Sequence, residues 1–195
     1  LLPDPLQAAE ALAGKNAADE EIAILVILES IEALGRHHRQ VDGWDASNTW
    51  ARSMLPAFEH LETMTNLTLR QAAEIRHHWA KQLHFLGRSG DAQLMFEAVV
   101  AGYPLHDAKL QLVRILGRRP EGYERARLLS EEIIVARKAG EDVSSSLVMA
   151  LGDTLNRARS TWAGDLVEEH EDMFLEMALY SASAGVSQGY HSIAS

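Results

Sequence analysis

Cysteine is absent from the 195 residues. That removes disulfides, thiolate nucleophiles and cysteine-ligated zinc together, and it suits a chain kept in a reducing cytoplasm, the localisation expected here. Long hydrophobic runs are missing too. The longest, Ile22 to Leu28, is flanked by Asp19, Glu20, Glu21 and Glu29 and is far shorter than the ~20 residues a membrane-spanning helix needs. It reads as a buried helix, with no membrane contact. The start, LLPDPLQAAE, has no basic stretch of the kind that opens a secretory leader, and with no initiator Met it suits a mature chain or an excised fragment. Positive charge is in deficit, with a formal net charge of -10, which argues against nucleic acid as the main partner. The deficit is uneven. Residues 1–65 carry 11 acids and 4 bases, residues 66–138 carry 8 and 12, and residues 139–195 carry 9 and 2.

Strand signals are nearly missing, because no stretch sustains an alternation of period two. Helical periodicity is everywhere. An acidic first turn at Asp19 leads into an apolar helix ending in Arg36, His37, His38 and Arg39, the order that suits the helix dipole. Ser47 is a candidate cap for the next helix, which Pro56 should kink or divide. Further helices are expected at about Thr68 to Leu86, Asp91 to Ala101, Leu105 to Leu116, Tyr123 to Ala139, Ser144 to Arg159 and Leu166 to Ser183, separated by short Gly- and Pro-containing turns. Many helices on tight connections make an all-α fold of antiparallel neighbours.

An internal period decides between a bundle and a solenoid. Ala92 and Ala126 lie 34 residues apart, each early in an apolar helix and each preceded by a glycine-containing turn. In residues 73–106, Trp79, Ala80, Leu83, Gly87, Ala92, Phe96 and Pro104 have the offsets of large, small, aromatic and terminating positions in the tetratricopeptide repeat (TPR), and the stretch resembles that family. Residues 107–140 resemble a second unit through Val113 and Ala126, with Arg114, Ser130 and Lys138 departing from its small, aromatic and proline positions. Residues 141–174 resemble a third through Leu147, Val148 and Leu151, with Ser160 at the crossing position. The resemblance implies antiparallel hairpins stacked as a TPR-like α-solenoid. Residues 1–65 are then additional N-terminal helices packing on the repeats, and residues 66–195 are one continuous solenoid.

The same resemblance implies a concave groove lined by first-helix positions. These are His77, Lys81 and His84, then Gln111, Ile115 and Arg118, with Glu74 and Arg88 at the margin. On a helical wheel, His77, Lys81, His84, Arg88 and Glu74 share one polar face, opposite Ile75, Trp79, Leu83 and Leu86. His78 points elsewhere. Asparagine is missing from these positions, so the carboxylate clamp of the family's chaperone-binding variety is not expected. The implied activity is non-catalytic binding of a protein or peptide segment, acidic or polar in character, with no cofactor.

Catalytic readings were weighed against this. No HExxH is present, and Glu74 with His77 forms a single ExxH where a di-iron bundle needs two, so no metal is expected. Glu59 with His60, and His170 among Glu168, Glu169, Glu171 and Asp172, read as solvated faces. Gly14-Lys15-Asn16 lacks the residues of a P-loop, Gly185 to Gly189 follows no strand, and Gly87-Arg88-Ser89-Gly90 is a turn. The basic run of Lys109, Arg114, Arg118, Arg119, Arg125, Arg127, Arg137 and Lys138 reads as surface pairs such as Glu121 with Arg125 and Glu124 with Arg127, or as a patch attracting an acidic peptide. Three alternatives stay open. The chain is a regulatory or sensor portion of a larger signalling or effector protein, with other domains of the same polypeptide as partners; it is a metal-dependent helical enzyme; or it self-associates through its end helices.

Overall fold

Side-chain caps from Asp4, Thr68 and Ser144 each open a helix, and the first of these helices was not anticipated. The computed structural model describes residues 4–176 and residue 179. Helix α1, Pro5–Leu12, begins with the Asp4 carboxylate accepting from Leu6 N at 3.0 Å and with Pro5 at a position where its fixed φ fits the first turn. Helix α2 is Glu21–Val41, α3 is Trp44–Ser53 and α4 is Leu55–Glu62. Pro56 divides α3 from α4 as expected, the break falling at Met54. Ser47 is no cap. It lies buried inside α3, and its hydroxyl donates to the Gly35 carbonyl at 3.1 Å, while Trp50 Nε1 donates to the Ile31 carbonyl at 3.2 Å. Both bonds pin α3 to α2.

Helix α5, Leu69–Phe85, opens with a reciprocal capping box. Thr68 Oγ1 accepts from Gln71 N at 3.1 Å, and Gln71 Oε1 accepts from Thr68 N at 2.9 Å. Gln71 also donates through Nε2 to the Ala17 carbonyl at 3.2 Å, tying this start to the 3-10 turn Ala17–Asp19. Helix α6, Ser89–Gly102, follows a turn in which Gly87 has φ +80°.

The helices group into two units, Leu1–Leu105 and His106–Ser195. The division expected at residue 65 therefore falls inside the first unit. Met64, Ile75 and Trp79 join the same apolar cluster as Ala9, Leu28 and Phe58, so α5 completes the core of the helices before it. Its other side packs on α6, where Ala80, Leu83, Ala92 and Phe96 are all buried. The apolar run in α2 is buried on one face only. Ile24, Ile27, Leu28 and Ile31 enter the core, whereas Ile22, Leu25 and Val26 are exposed.

The second unit contains α7 His106–Leu116, α8 Tyr123–Lys138, α9 Ser145–Arg157 and α10 Gly164–Glu169. Helices α7 and α8 pack together, with Val113 and Ala126 buried. Ser130, where an aromatic was lacking, is fully buried and donates to the Ala126 carbonyl at 2.8 Å. The helix expected to run to Arg159 ends at Arg157, and a π-helical turn Arg159–Ala163 follows, leaving Ser160 exposed in it. The helix expected over Leu166 to Ser183 breaks at His170 and resumes over residues 171–176; its remainder, apart from residue 179, lies outside the described residues, as do Gly185 to Gly189. The chain is all-α, with no strand among the described residues. None of their helices is long and apolar enough to cross a membrane.

The α5 cap gives the first test. Thr68→Ala removes one half of the capping box and is expected to lower unfolding free energy by about 1 kcal/mol, read as a lower urea midpoint with unchanged slope.

Candidate functional site

Two places in the fold concentrate charged groups, and each lies within one unit. In the first unit, α2 presents Glu32 to α5. Its carboxylate, only 12% exposed, faces His78 Nδ1 at 2.7 Å and pairs with Lys81 Nζ. The His78 contact is short, but neither Glu32 Oε1 nor His78 Nδ1 meets hydrogen-bond geometry. Beside them His77 is 4% exposed, edge-on to the His78 ring at 5.5 Å and tilted against Phe96 at 5.7 Å. His77 Nδ1 is buried without a hydrogen-bond partner.

Burial works to raise the Glu32 pKa, but the His78 contact and charge, together with the Lys81 charge, outweigh it and hold the carboxyl at about 2. Burial first, and then the charges of His78 and Lys81, push His77 down to about 3 against the opposing pull of Glu32. His77 is therefore a neutral ring in the core at ordinary pH.

These positions revise the expected groove. His77 does not project to solvent, Lys81 is occupied by Glu32, and His78, placed apart from the cluster on the helical wheel, is part of it. The reason is that α5 is covered on two sides, by α6 and by the helices before it, so a single polar face opposite a single core face does not exist. His84 Nδ1 meets Ser89 Oγ at 3.1 Å, Arg88 pairs with Asp91 at 2.8 Å, and Glu74 is half-buried on α5.

In the second unit, a cleft of about 420 Å³ opens between α7, α9 and the π-turn. Arg114 comes from α7 and Arg118 from the turn after it, Asp153, Thr154 and Arg157 from α9, and Tyr123 and Trp162 supply aromatic walls with ring centroids 6.2 Å apart. Trp162 is fixed by its Nε1 donating to the Gly117 carbonyl at 3.2 Å. A Cβ at Gly117 would lie 2.7 Å from the Trp162 ring and 2.8 Å from the Val113 carbonyl, so only glycine admits this approach. Arg114 Nε donates to Thr154 Oγ1 at 3.3 Å. Burial, then the charge of Arg157, lower the Arg114 pKa against the pull of Asp153 and Asp107.

Among the described residues, none of Arg114, Arg118 and Arg157 has a carboxylate within ion-pair distance. Several other bases of the second unit are engaged. Lys109 pairs with Glu132 at 2.9 Å, Arg127 with Glu131 and Asp165, and Lys138 Nζ lies 3.2 Å from His170 Nδ1. The expected pairing of Glu124 with Arg127 gives way to these partners, because Arg127 reaches Asp165 in the first turn of α10. Of the expected groove positions around α7, Arg118 lines the cleft from the turn after the helix, while Gln111 and Ile115 are half-buried outside its lining. Arg157, Thr154 and Trp162 were missed. The available signal was the recurrence of bases at Arg114 and Arg118 around the end of α7. No group of three or more His, Asp or Glu side chains among the described residues is placed to hold a metal ion.

The buried groups of the first unit set a pH dependence. An unfolded His77 gains its proton below about 6.5, whereas the folded ring gains it only near 3. Between those values the unfolded chain holds more protons, so stability falls as pH is lowered across that window. Glu32, at about 2 folded and 4.5 unfolded, acts in the same direction, its contribution present above 4.5 and lost as pH falls through 2. Urea unfolding followed by tryptophan fluorescence is expected to lose stability with a steepest His77 slope of about 1.4 kcal/mol per pH unit, and His77→Leu to flatten it between 6.5 and 4.5. Glu32→Ala removes the acid that meets His78 and the half-exposed Lys81 and is expected to cost about 1–3 kcal/mol at neutral pH.

Comparison of the chain with family models, with curated proteins and with solved structures returned no match.

Proposed function

We propose that the protein is a non-catalytic, TPR-like helical interaction module that binds an acidic peptide or protein segment, and that the cleft of the second unit is the seat of that binding. The observation that carries this reading is the set of three cleft arginines, Arg114, Arg118 and Arg157, that have no ion-pair partner among the described residues. Exposed Arg119 and Arg125 have none among those residues either, so what distinguishes these three is that they line one concavity. Three that converge on one concavity without such a partner form a preformed anion receptor, and their guanidinium forks suit carboxylate geometry.

Tyr123 and Trp162 add rigid apolar surface of the kind that anchors recognition sites. The cleft offers no paired acid and base around a nucleophile: its one carboxylate, Asp153, is exposed, and its hydroxyls belong to Thr154, Thr161 and Tyr123. That composition supports binding over chemistry. A cytoplasmic setting fits a cysteine-free chain of this kind.

Binding of a fluorescein-labelled polyglutamate peptide tests the reading. The wild-type protein is expected to bind it with an affinity that weakens as salt rises. Arg114→Ala with Arg157→Ala is expected to reduce affinity by at least about tenfold, since charge-assisted contacts contribute about 1.5–3 kcal/mol each. Unchanged binding by a variant of native helicity refutes the assignment.

A further inference from the structure

We infer that the cleft of the second unit is built for a phosphoryl group, and that its ligand is a phosphorylated serine or threonine within a peptide segment. This inference rests on the peptide-binding reading given above. It comes from matching donors to acceptors. Arg114 spends its Nε on Thr154 Oγ1, which fixes the guanidinium and leaves its terminal nitrogens for a ligand. Arg118, in the turn after α7, and Arg157, at the end of α9, add two further forks from two separate segments. A carboxylate offers two oxygens and one negative charge, enough to saturate one fork. A phosphomonoester offers three terminal oxygens and a charge of roughly -1.5 to -2, which matches donors arriving from several directions.

The electrostatics point the same way. Arg114 and Arg157 are close enough for each charge to act on the other, and Arg114 is partly withdrawn from water. A doubly charged anion relieves that repulsion more fully than a singly charged one. The cleft volume of about 420 Å³ exceeds the needs of a bare phosphate and leaves room for the residue that bears it, with Tyr123 and Trp162 as its apolar wall. Asp153, on the α9 side of the same cleft, repels the phosphoryl group and attracts a base, so a lysine or arginine beside the phosphorylated residue completes the match.

Fluorescence anisotropy at fixed ionic strength separates the possibilities. The probe is a labelled alanine–glycine peptide with a single lysine next to a test position occupied by serine, glutamate or phosphoserine. The phosphoserine form is expected to bind at least about tenfold more tightly than the glutamate form. No histidine is among the residues lining the cleft, so its preference should disappear as the pH is lowered through about 6, where the phosphate loses its second charge. Arg157→Lys, at an exposed position, keeps the charge but removes the fork, and is expected to weaken phosphoserine binding by about tenfold. Arg125→Ala, exposed and outside the cleft, is expected to leave it unchanged. Equal affinity for glutamate and phosphoserine overturns the phosphoryl assignment while the acidic-peptide reading stands. Failure of both peptides to bind overturns both. Inorganic phosphate displacing the probe at the same concentration as unlabelled phosphoserine peptide overturns the peptide as the source of the phosphoryl group.

Discussion

Helix α5 is covered on both of its long sides, and the first unit is arranged around that constraint. Helix α6 occupies one side through Ala80, Leu83, Ala92 and Phe96, and the core of the preceding helices reaches Ile75 and Trp79 on the other. A helix so enclosed has little room for a solvated face, yet the sequence of α5 is rich in polar residues. Gln71, His77, His78 and Gln82 are all buried in consequence. Each must be neutral, paired or hydrogen-bonded, because burial of an unpaired charge is costly. Gln71 answers through the capping box and the Ala17 carbonyl, His77 by remaining neutral, and His78 by meeting Glu32.

Glu32 thereby gains a role that its position on α2 does not advertise. It is the acid that lets α5 bring a histidine and a lysine against α2. A buried pair of this kind is weak evidence for added stability, since desolvation offsets much of the attraction. It does specify register: sliding either helix by one turn would leave three ionisable groups without partners.

The second unit uses charge differently. Among the described residues, Lys109, Arg127 and Arg159 meet acids, while Arg114, Arg118 and Arg157 line a cleft without one. One of them, Arg114 on α7, is held by Thr154 of α9 at the wall of the cleft. Gly117 and the π-turn complete it by seating Trp162 against the end of α7.

The all-helical class, most helix boundaries, the division at Pro56 and the seam of Ala80, Leu83, Ala92 and Phe96 were legible in the sequence. Each depends on local periodicity, caps and breakers. Other features were not. The Asp4 cap of α1 went unread because that helix is short. Ser47 looked like a cap, but its hydroxyl, like the Trp50 indole, bonds to a main-chain carbonyl of α2. The helical wheel of α5 assumed one wet face, and the structure covers both. Arg157 and Thr154 were silent because nothing local relates them to Arg114, about forty residues earlier. By itself the sequence determined where helices form, since that is set within a few residues along the chain. Only the tertiary structure decided which polar side chains are buried, which acid meets which base and which arginines face a cleft, because those outcomes depend on which helix surfaces come to lie against one another.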